Sequence, residues 1–332
     1  MIKLGGPVEI AKKLVSLNSE NPPGTRTQCG QYVFDFLKKL GLKPIKQFID
    51  KEKFNVIVIG KGPLLVQGHL DTVQFGDAKK WKRNPAGEIR EGKLFGRGSS
   101  DTKGNIACFL AALAENRKNG SGRRRQPSPI SMIFTCVEEN SFSAIQKAMK
   151  LRKTKLRHIK YSITIEPTNG KLISCNKGQY TFEITAQGKT AHASDPTKGI
   201  NAIEKLVAVV PRIKSYEKQI NKRSHKLMGR ATLNIGIIKG GSAANIVPDS
   251  ASMIIDRRVI TSEKPQQVIK EMARAVRPLR SRLLRRIDPA ETSSKSKIVK
   301  IMRGILAFEK MDAKIYGYRA TAELSEIRKH GI

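Results

Sequence analysis

Four short segments of this 332-residue chain carry side chains that can bind a cation and move a proton. In Leu64-Leu65-Val66-Gln67-Gly68-His69-Leu70-Asp71-Thr72-Val73, a histidine and an aspartate stand two apart after an apolar run. A histidine there can ligate a metal through one ring nitrogen while the nearby carboxylate accepts the other N–H. Phe95 to Gly104 sets Asp101 among glycines ahead of a helix. Its carboxylate either caps that helix or bridges two cations. Phe134-Thr135-Cys136-Val137-Glu138-Glu139-Asn140 ends an apolar strand on adjacent carboxylates. Such charges repel unless cations or protons compensate them. One can ligate a metal while the other acts as general base, the plain alternative being a surface pair. Ile163-Thr164-Ile165-Glu166-Pro167 puts a fourth carboxylate at a strand end, unless it is a simple turn. His69, Asp101, Glu139 and Glu166 together suit two borderline divalent cations such as zinc. His158, His225 and His330 fall outside these segments and read as surface residues.

The elements that must position these groups are legible as periodicity. Pro7–Leu17 and Gln28–Leu40 carry apolar residues at three- and four-residue spacing, as amphipathic helices do. Asn55–Ile59, Leu64–Gln67, Ile130–Val137 and Ser162–Ile165 read as buried strands, with an Ala/Leu-rich helix over Gly104–Asn116. That alternation predicts an α/β layered domain. From about Gly178 the order changes. Tyr180–Thr185, Thr232–Ile238 and Ser252–Val259 read as strands, Gly199–Lys222 as one long helix and Pro265–Arg277 as another. This β-α-β-β-α order predicts a small α+β domain of split βαβ type. The expected organisation is a catalytic domain over 1–177, an insertion over 178–286, and a return to the catalytic domain over 287–332. Ser296–Phe308 and the strand-like Lys314–Tyr316 lie in that return. Asn119–Pro129 reads as an exposed polar loop.

Composition bounds the partners. Lys and Arg number 63 against 28 Asp and Glu, a formal net charge of +35 that attracts anions of every kind. The basic residues are spread along the chain. Their densest runs, Arg123-Arg124-Arg125 in the polar loop and Arg280–Arg286 on an expected helix, are not interleaved with the aromatics that single strands stack on. A solvated basic surface is favoured over a polyanion site, so nucleic acid is not an expected partner. No run approaches the roughly 20 apolar residues of a membrane span, and the N-terminus does not read as a signal peptide. A cytoplasmic protein with no membrane partner is the expectation. The four cysteines show no C-x-x-C spacing, so any metal must be held by histidine and carboxylate.

In order, GHLDTV, GRGSSDTKG, TCVEEN and IEPT resemble the family of acetylornithine deacetylase, succinyl-diaminopimelate desuccinylase, aminoacylase and carboxypeptidase G, co-catalytic zinc amidohydrolases. The similarity continues through Lys189-Thr190-Ala191-His192-Ala193-Ser194, Gly240-Gly241, Asn245, Val247-Pro248-Asp249 and Asp256-Arg257-Arg258. It implies a mixed-sheet, zinc-peptidase-like catalytic domain and an inserted lid and dimerisation domain. His69 and Glu166 then resemble the ligands of one metal, Glu139 a ligand of the other, and Asp101 the bridge. Asp71 resembles the carboxylate that orients His69, and Glu138 the general base. His192 resembles the lid histidine that stabilises an oxyanion. Asn245 and Arg257 resemble substrate-gripping residues, Arg257 taking the carboxylate because its guanidinium fork matches two oxygens.

The resemblance implies two divalent cations, zinc or alternatively cobalt, a homodimer through the insertion, and hydrolysis of an N-acyl amino acid or small peptide, as in amino-acid biosynthesis. The family's last metal ligand is a histidine beyond a glycine-rich turn. The chain ends at Gly331-Ile332, and His330 precedes that turn, so the second metal site is expected to be incomplete. The alternatives are a non-catalytic remnant that binds amino-acid ligands or an acidic partner, and a nucleic-acid-binding protein. The charge adds an acidic carrier protein to the partners considered.

Overall fold

The computed structural model describes residues 5–22, 27–119 and 127–332. The run Arg123–Arg125, and with it most of the expected polar loop, lies outside the described residues. By contacts the chain forms two compact units, 1–170 with 322–332, and 171–321.

The first unit opens with helices α1 (Pro7–Ser16) and α2 (Gln28–Lys39). Ile10, Leu14, Val33 and Leu37 are turned inward at helical spacing, giving each helix a buried stripe. Strands β1 (Ile45–Phe48), β2 (Phe54–Val58) and β3 (Leu64–His69) follow, then the short hairpin β4 (Glu88–Arg90) and β5 (Lys93–Phe95). Helix α3 (Lys103–Asn119), β6 (Ile130–Thr135), α4 (Ser143–Met149) and β7 (Tyr161–Thr164) complete the run, with a closing helix over Leu324–Arg328. The sheet order is β1-β2-β6-β3-β7. β3 lies parallel to both β6 and β7, while β1 and β2 are antiparallel additions. The continuous apolar runs of β2, β3 and β6 are what strands covered on both faces require.

The second unit holds β8 (Leu172–Asn176), β9 (Gly178–Gln187), α5 (Ala202–Ala208), α6 (Val210–Ile220), and a small ladder of β10 (Ser224–His225) and β11 (Gly229–Arg230). Next come β12 (Thr232–Gly240), β13 (Ser250–Val259), α7 (Pro265–Ala275), β14 (Arg280–Ile287), β15 (Ala290–Glu291), α8 (Lys297–Phe308) and β16 (Ile315–Tyr318). Its main sheet runs β12-β13-β9-β14, and a second, three-stranded sheet runs β15-β8-β16.

Two expectations are corrected. The helix expected over Gly199–Lys222 is two: Asn201 caps α5 by accepting from the N–H groups of Ile203 and Glu204, and Pro211, which has no N–H to continue the ladder, sits at the start of α6. Arg280–Arg286 is strand, not helix. Arg280, Arg282, Leu284 and Arg286 alternate outward on an edge where Arg282 pairs with Glu183 and Arg286 with Asp288. Charged edges discourage pairing with other chains. By contacts the chain returns to the first unit at Ala322, and β8, β15 and β16 form a sheet of their own within 171–321.

The alternation of β13 also decides the fate of two arginines. Arg257 points inward and is fully buried, Arg258 points outward. The Arg257 guanidinium donates to Glu263, whose carboxylate also accepts from Arg223 at 3.0 Å and the Ile260 N–H at 3.1 Å. A buried pair stripped of one partner leaves an uncompensated charge. Glu263→Gln should therefore lower stability by about 3–5 kcal/mol in urea unfolding; a loss under about 1 kcal/mol would show that Arg257 needs no counter-charge.

Candidate metal centre

Three parallel neighbours deliver most of the acidic cluster at their carboxyl ends, the end at which open α/β sheets bind ligands. His69 is the last residue of β3. Glu138 and Glu139 follow β6, and Glu166 follows β7. The register sets His69 opposite Thr135, and the Leu70 N–H bonds the Thr135 carbonyl at 2.8 Å, so the strand ends stay level. Asp101 comes from the loop that opens α3. Gly104 is required there, because a Cβ would fall 2.0 Å from the Ser99 carbonyl oxygen. The Thr102 hydroxyl donates to the His69 carbonyl at 2.8 Å, and the buried Lys103 ammonium to the Leu17 carbonyl at 2.7 Å, fixing the loop to β3 and to the end of α1.

Asp71 organises the rest. Its buried carboxylate accepts from the Asn21 amide at 3.0 Å, the Glu138 N–H at 3.0 Å and the Glu139 N–H at 3.1 Å. Burial would raise its pKa, but His69 and these donors outweigh that and hold it below the ordinary value. His69 Nδ1 meets the Asp71 backbone carbonyl at 2.9 Å, with Oδ1 of the same residue at 3.6 Å. Asp71 thus orients the ring chiefly through its main chain. With Nδ1 donating there, Nε2 turns its lone pair toward Asp101 Oδ1, 3.0 Å away. Two acceptors in that position need a proton or a cation between them.

His69 forms one group with Asp101 and Glu166 and a second with Glu138 and Glu139, the donor atoms of each group lying within 4.8 Å of one another. Donors about 2.1 Å from a tetrahedral ion stand roughly 3.4 Å apart, so both groups are near the size a cation draws together. Electrostatics agrees with the donor set. Burial, with Asp71, Glu139 and Asp101 nearby and His69 opposing, pushes Glu138 up to about 7. Burial, then Glu138, Asp101 and Glu139, pushes Glu166 up to about 8 against the pull of His69. Glu139 is raised by burial, then Asp101 and Asp71, against the pull of His69. Burial alone would lower the His69 pKa, but the carboxylates, Asp101 first, hold it well above its usual value. Crowded carboxylates short of positive charge are what a divalent cation neutralises.

The remaining residues implicated by the sequence lie in the second unit. His192 and Asn245 are exposed on adjacent segments: the Ala193 N–H bonds the Asn245 carbonyl at 3.0 Å, and His192 Nδ1 meets the Ser194 hydroxyl at 2.7 Å. Arg257 is corrected. Its guanidinium is committed to Glu263 inside the second unit, where no substrate carboxylate reaches it. The signal was available in the period-two pattern, which turns Arg258 outward instead. Sequence reasoning also missed Asn21, which no motif marks, and a buried carboxyl, Glu323, bonded by Gln67 and Thr135. His225 lies against Glu291 and His330 is exposed.

Residues 175–281 match the family model of a peptidase dimerisation domain. The chain is 30% identical over 254 residues to a succinyl-diaminopimelate desuccinylase of Wolbachia pipientis subsp. Culex pipiens (strain wPip), covering 74% of this chain and 62% of that one. A second desuccinylase, from Wolbachia pipientis wMel, is 28% identical over 80% of this chain and 67% of its own length. The chain belongs to the M20 family. It spans 62% of the length of the first of these relatives. Among solved structures, an M20 family metallo-carboxypeptidase from Sulfolobus solfataricus superposes with a TM-score of 0.78 at 18% identity, over 99% of this chain and 90% of that one. A tripeptidase from Staphylococcus aureus gives 0.72 at 18%, over 98% and 87%. The M20 fold is therefore a mixed α/β, zinc-peptidase-like one, as the sequence motifs implied. Among the described residues no helix is long and apolar enough to cross a membrane.

The raised carboxyls set a pH dependence for the metal-free M20 chain. A folded-state pKa above the ordinary glutamate value of about 4.3 means the folded form binds more protons, so the contribution is full below that value and lost as pH rises. The metal-free protein should lose melting temperature between pH 6 and 8.5, as Glu138 passes about 7 and Glu166 about 8, and saturating zinc should abolish the slope. A flat metal-free profile, measured by calorimetry after chelation, would refute the carboxylate crowding.

Proposed function

We propose that this chain is a divalent-metal-dependent hydrolase of the amide bond in an N-acyl amino acid or small peptide. The observation that carries this reading is the gathering of His69, Asp101, Glu138, Glu139 and Glu166 at one end of three parallel strands. In it, His69 and Glu166 would hold one cation and Glu139 the other, with Asp101 shared between them, and zinc or cobalt would suit such nitrogen and oxygen donors. What divalent cations supply at such a site is Lewis acidity, which polarises a carbonyl and lowers the pKa of water. Glu138, with a pKa near neutrality, takes a proton from the attacking water as the O–C bond forms and returns it to the amine nitrogen as the C–N bond breaks. Asp71 holds the His69 ring and, through two backbone N–H bonds, the Glu138-Glu139 segment. His192 and Asn245, both exposed, serve as substrate contacts, His192 at the oxyanion.

A screen of N-acetyl and N-succinyl amino acids and dipeptides with added zinc or cobalt tests the reading. Metal binding without turnover of any of them would favour a ligand-binding protein instead. In the same assay, Glu138→Gln should keep its metal while kcat falls by about 10²–10⁴. Loss of metal from Glu138→Gln, with retention in Glu139→Gln, would reverse the two roles.

A homodimer through the second unit belongs to the same proposal. It is supported by the match to a peptidase dimerisation domain and by β12, an edge strand on which Ile237 and Ile238 are 48% and 56% exposed. If His192 serves the partner's site, mixing inactive His192→Ala and Glu138→Gln chains should restore up to about a quarter of the activity in exchanged dimers. No recovery, despite exchange seen by mass spectrometry, would assign each His192 to its own chain.

A further inference from the structure

Behind the metal centre lies a carboxyl that no step above uses. Glu323 opens the closing helix of the first unit and is fully buried. Its Oε2 accepts from the Gln67 side-chain amide and from the Thr135 hydroxyl at 2.6 Å. Gln67 lies on β3 two residues before His69, and Thr135 ends β6 opposite His69, so one carboxyl grips both strands where they deliver ligands. The other oxygen of each group is the informative one. Glu323 Oε1 and Gln67 Oε1 are both buried, and neither has a hydrogen-bond partner among the described residues. Each is attached to the same carbon as an atom of the existing Gln67–Glu323 bond.

Two orphaned acceptors beside an existing N–H···O bond are both satisfied by a single proton. Carried on Glu323 Oε1, it donates to Gln67 Oε1 while the Gln67 N–H donates to Glu323 Oε2, closing an acid–amide ring. The ionised form offers no such solution, because it leaves a buried carboxylate oxygen and an amide oxygen facing no donor. The charges around the group point the same way. Burial first, then Glu138 and Asp71, raise the Glu323 pKa well above the usual range, against the Thr135 bond and His69.

We infer that Glu323 is a neutral carboxylic acid at physiological pH, locked with Gln67 in a cyclic acid–amide pair that positions the ligand-bearing ends of β3 and β6. Neutrality matters to the neighbouring centre, since a sixth anion beside Asp71, Asp101, Glu138, Glu139 and Glu166 would add to their repulsion. Glu323 is a positioning residue: it touches neither substrate nor the predicted ligands. This inference concerns the protonation and packing of the site and does not depend on which amide, if any, is hydrolysed.

Glutamine at position 323 reproduces the neutral acid, its N–H₂ replacing the O–H. Infrared difference spectra between the wild type and Glu323→Gln at pH 7 should therefore show loss of a protonated carboxylic acid C=O band. Thr135→Val, which removes one donor to the carbonyl oxygen, should shift the same band to higher frequency and tests the assignment even if the first variant does not fold. Zinc titration of the full chain supplies the positioning readout. Outer-shell partners of metal sites are worth about 10–100-fold in affinity. Glu323→Ala should lose at least about tenfold, while Glu323→Gln stays within about threefold of the wild type. Loss of an ionised carboxylate band in Glu323→Gln, or equal loss of zinc affinity in the two variants, would overturn the inference.

Discussion

The carboxylate of Asp71 is the contact on which the arrangement of the metal centre depends. It is buried, yet it stays ionised because three donors from distant parts of the chain converge on it: the Asn21 amide and the N–H groups of Glu138 and Glu139. A charge-assisted hydrogen bond is roughly twice as strong as a neutral one. That strength is used here to fix main chain as well as side chain. Binding successive N–H groups sets the path of the segment after β6, so Glu138 and Glu139 are aimed by a residue that follows β3. The same residue's carbonyl selects the His69 tautomer. One side chain thus links two strand ends and the N-terminal segment around Asn21.

Around that junction the site is built against its own electrostatics. Glu138, Glu139 and Glu166 are all raised, with burial the first cause and the charge of neighbouring carboxylates a further one. A fold spends stability to hold like charges together only if surrounding structure over-determines their positions. Here the parallel register of β6, β3 and β7 does so, together with the α3 loop held by Thr102 and Lys103. The second unit handles charge differently. Arg223, Arg257, Glu263 and Glu271 form a balanced network with no excess of one sign. The contrast separates a site crowded with like charge from a core whose charges balance.

Much of this was legible because it is local. H-x-D after an apolar run, a glycine-flanked Asp and a Glu pair each sit where a strand or loop ends, and short windows carry that information. What failed was decided by tertiary pairing. Arg280–Arg286 contains no turn residue to deny a helix, and only its pairing with β9 makes it a strand. The helix break at Pro211 was visible in the sequence, but the apolar spacing on either side masked it. Arg257 and Arg258 differ only in which face of β13 they occupy, a distinction that one residue of register reverses. Glu323 was unreadable for another reason: Gln67 and Thr135 reach it across separations of 256 and 188 residues, and nothing near it in sequence marks it as buried.

The division into two units has a consequence for where a bound ligand's stabilisation falls. The donor groups belong wholly to 1–170, and the Arg257 network wholly to 171–321. A ligand that binds only the native form stabilises it by RT ln(1 + [L]/Kd), and the benefit goes to the unit that holds it. Should divalent cations bind as proposed, their stabilisation falls on the first unit and not on the Arg257 network of the second.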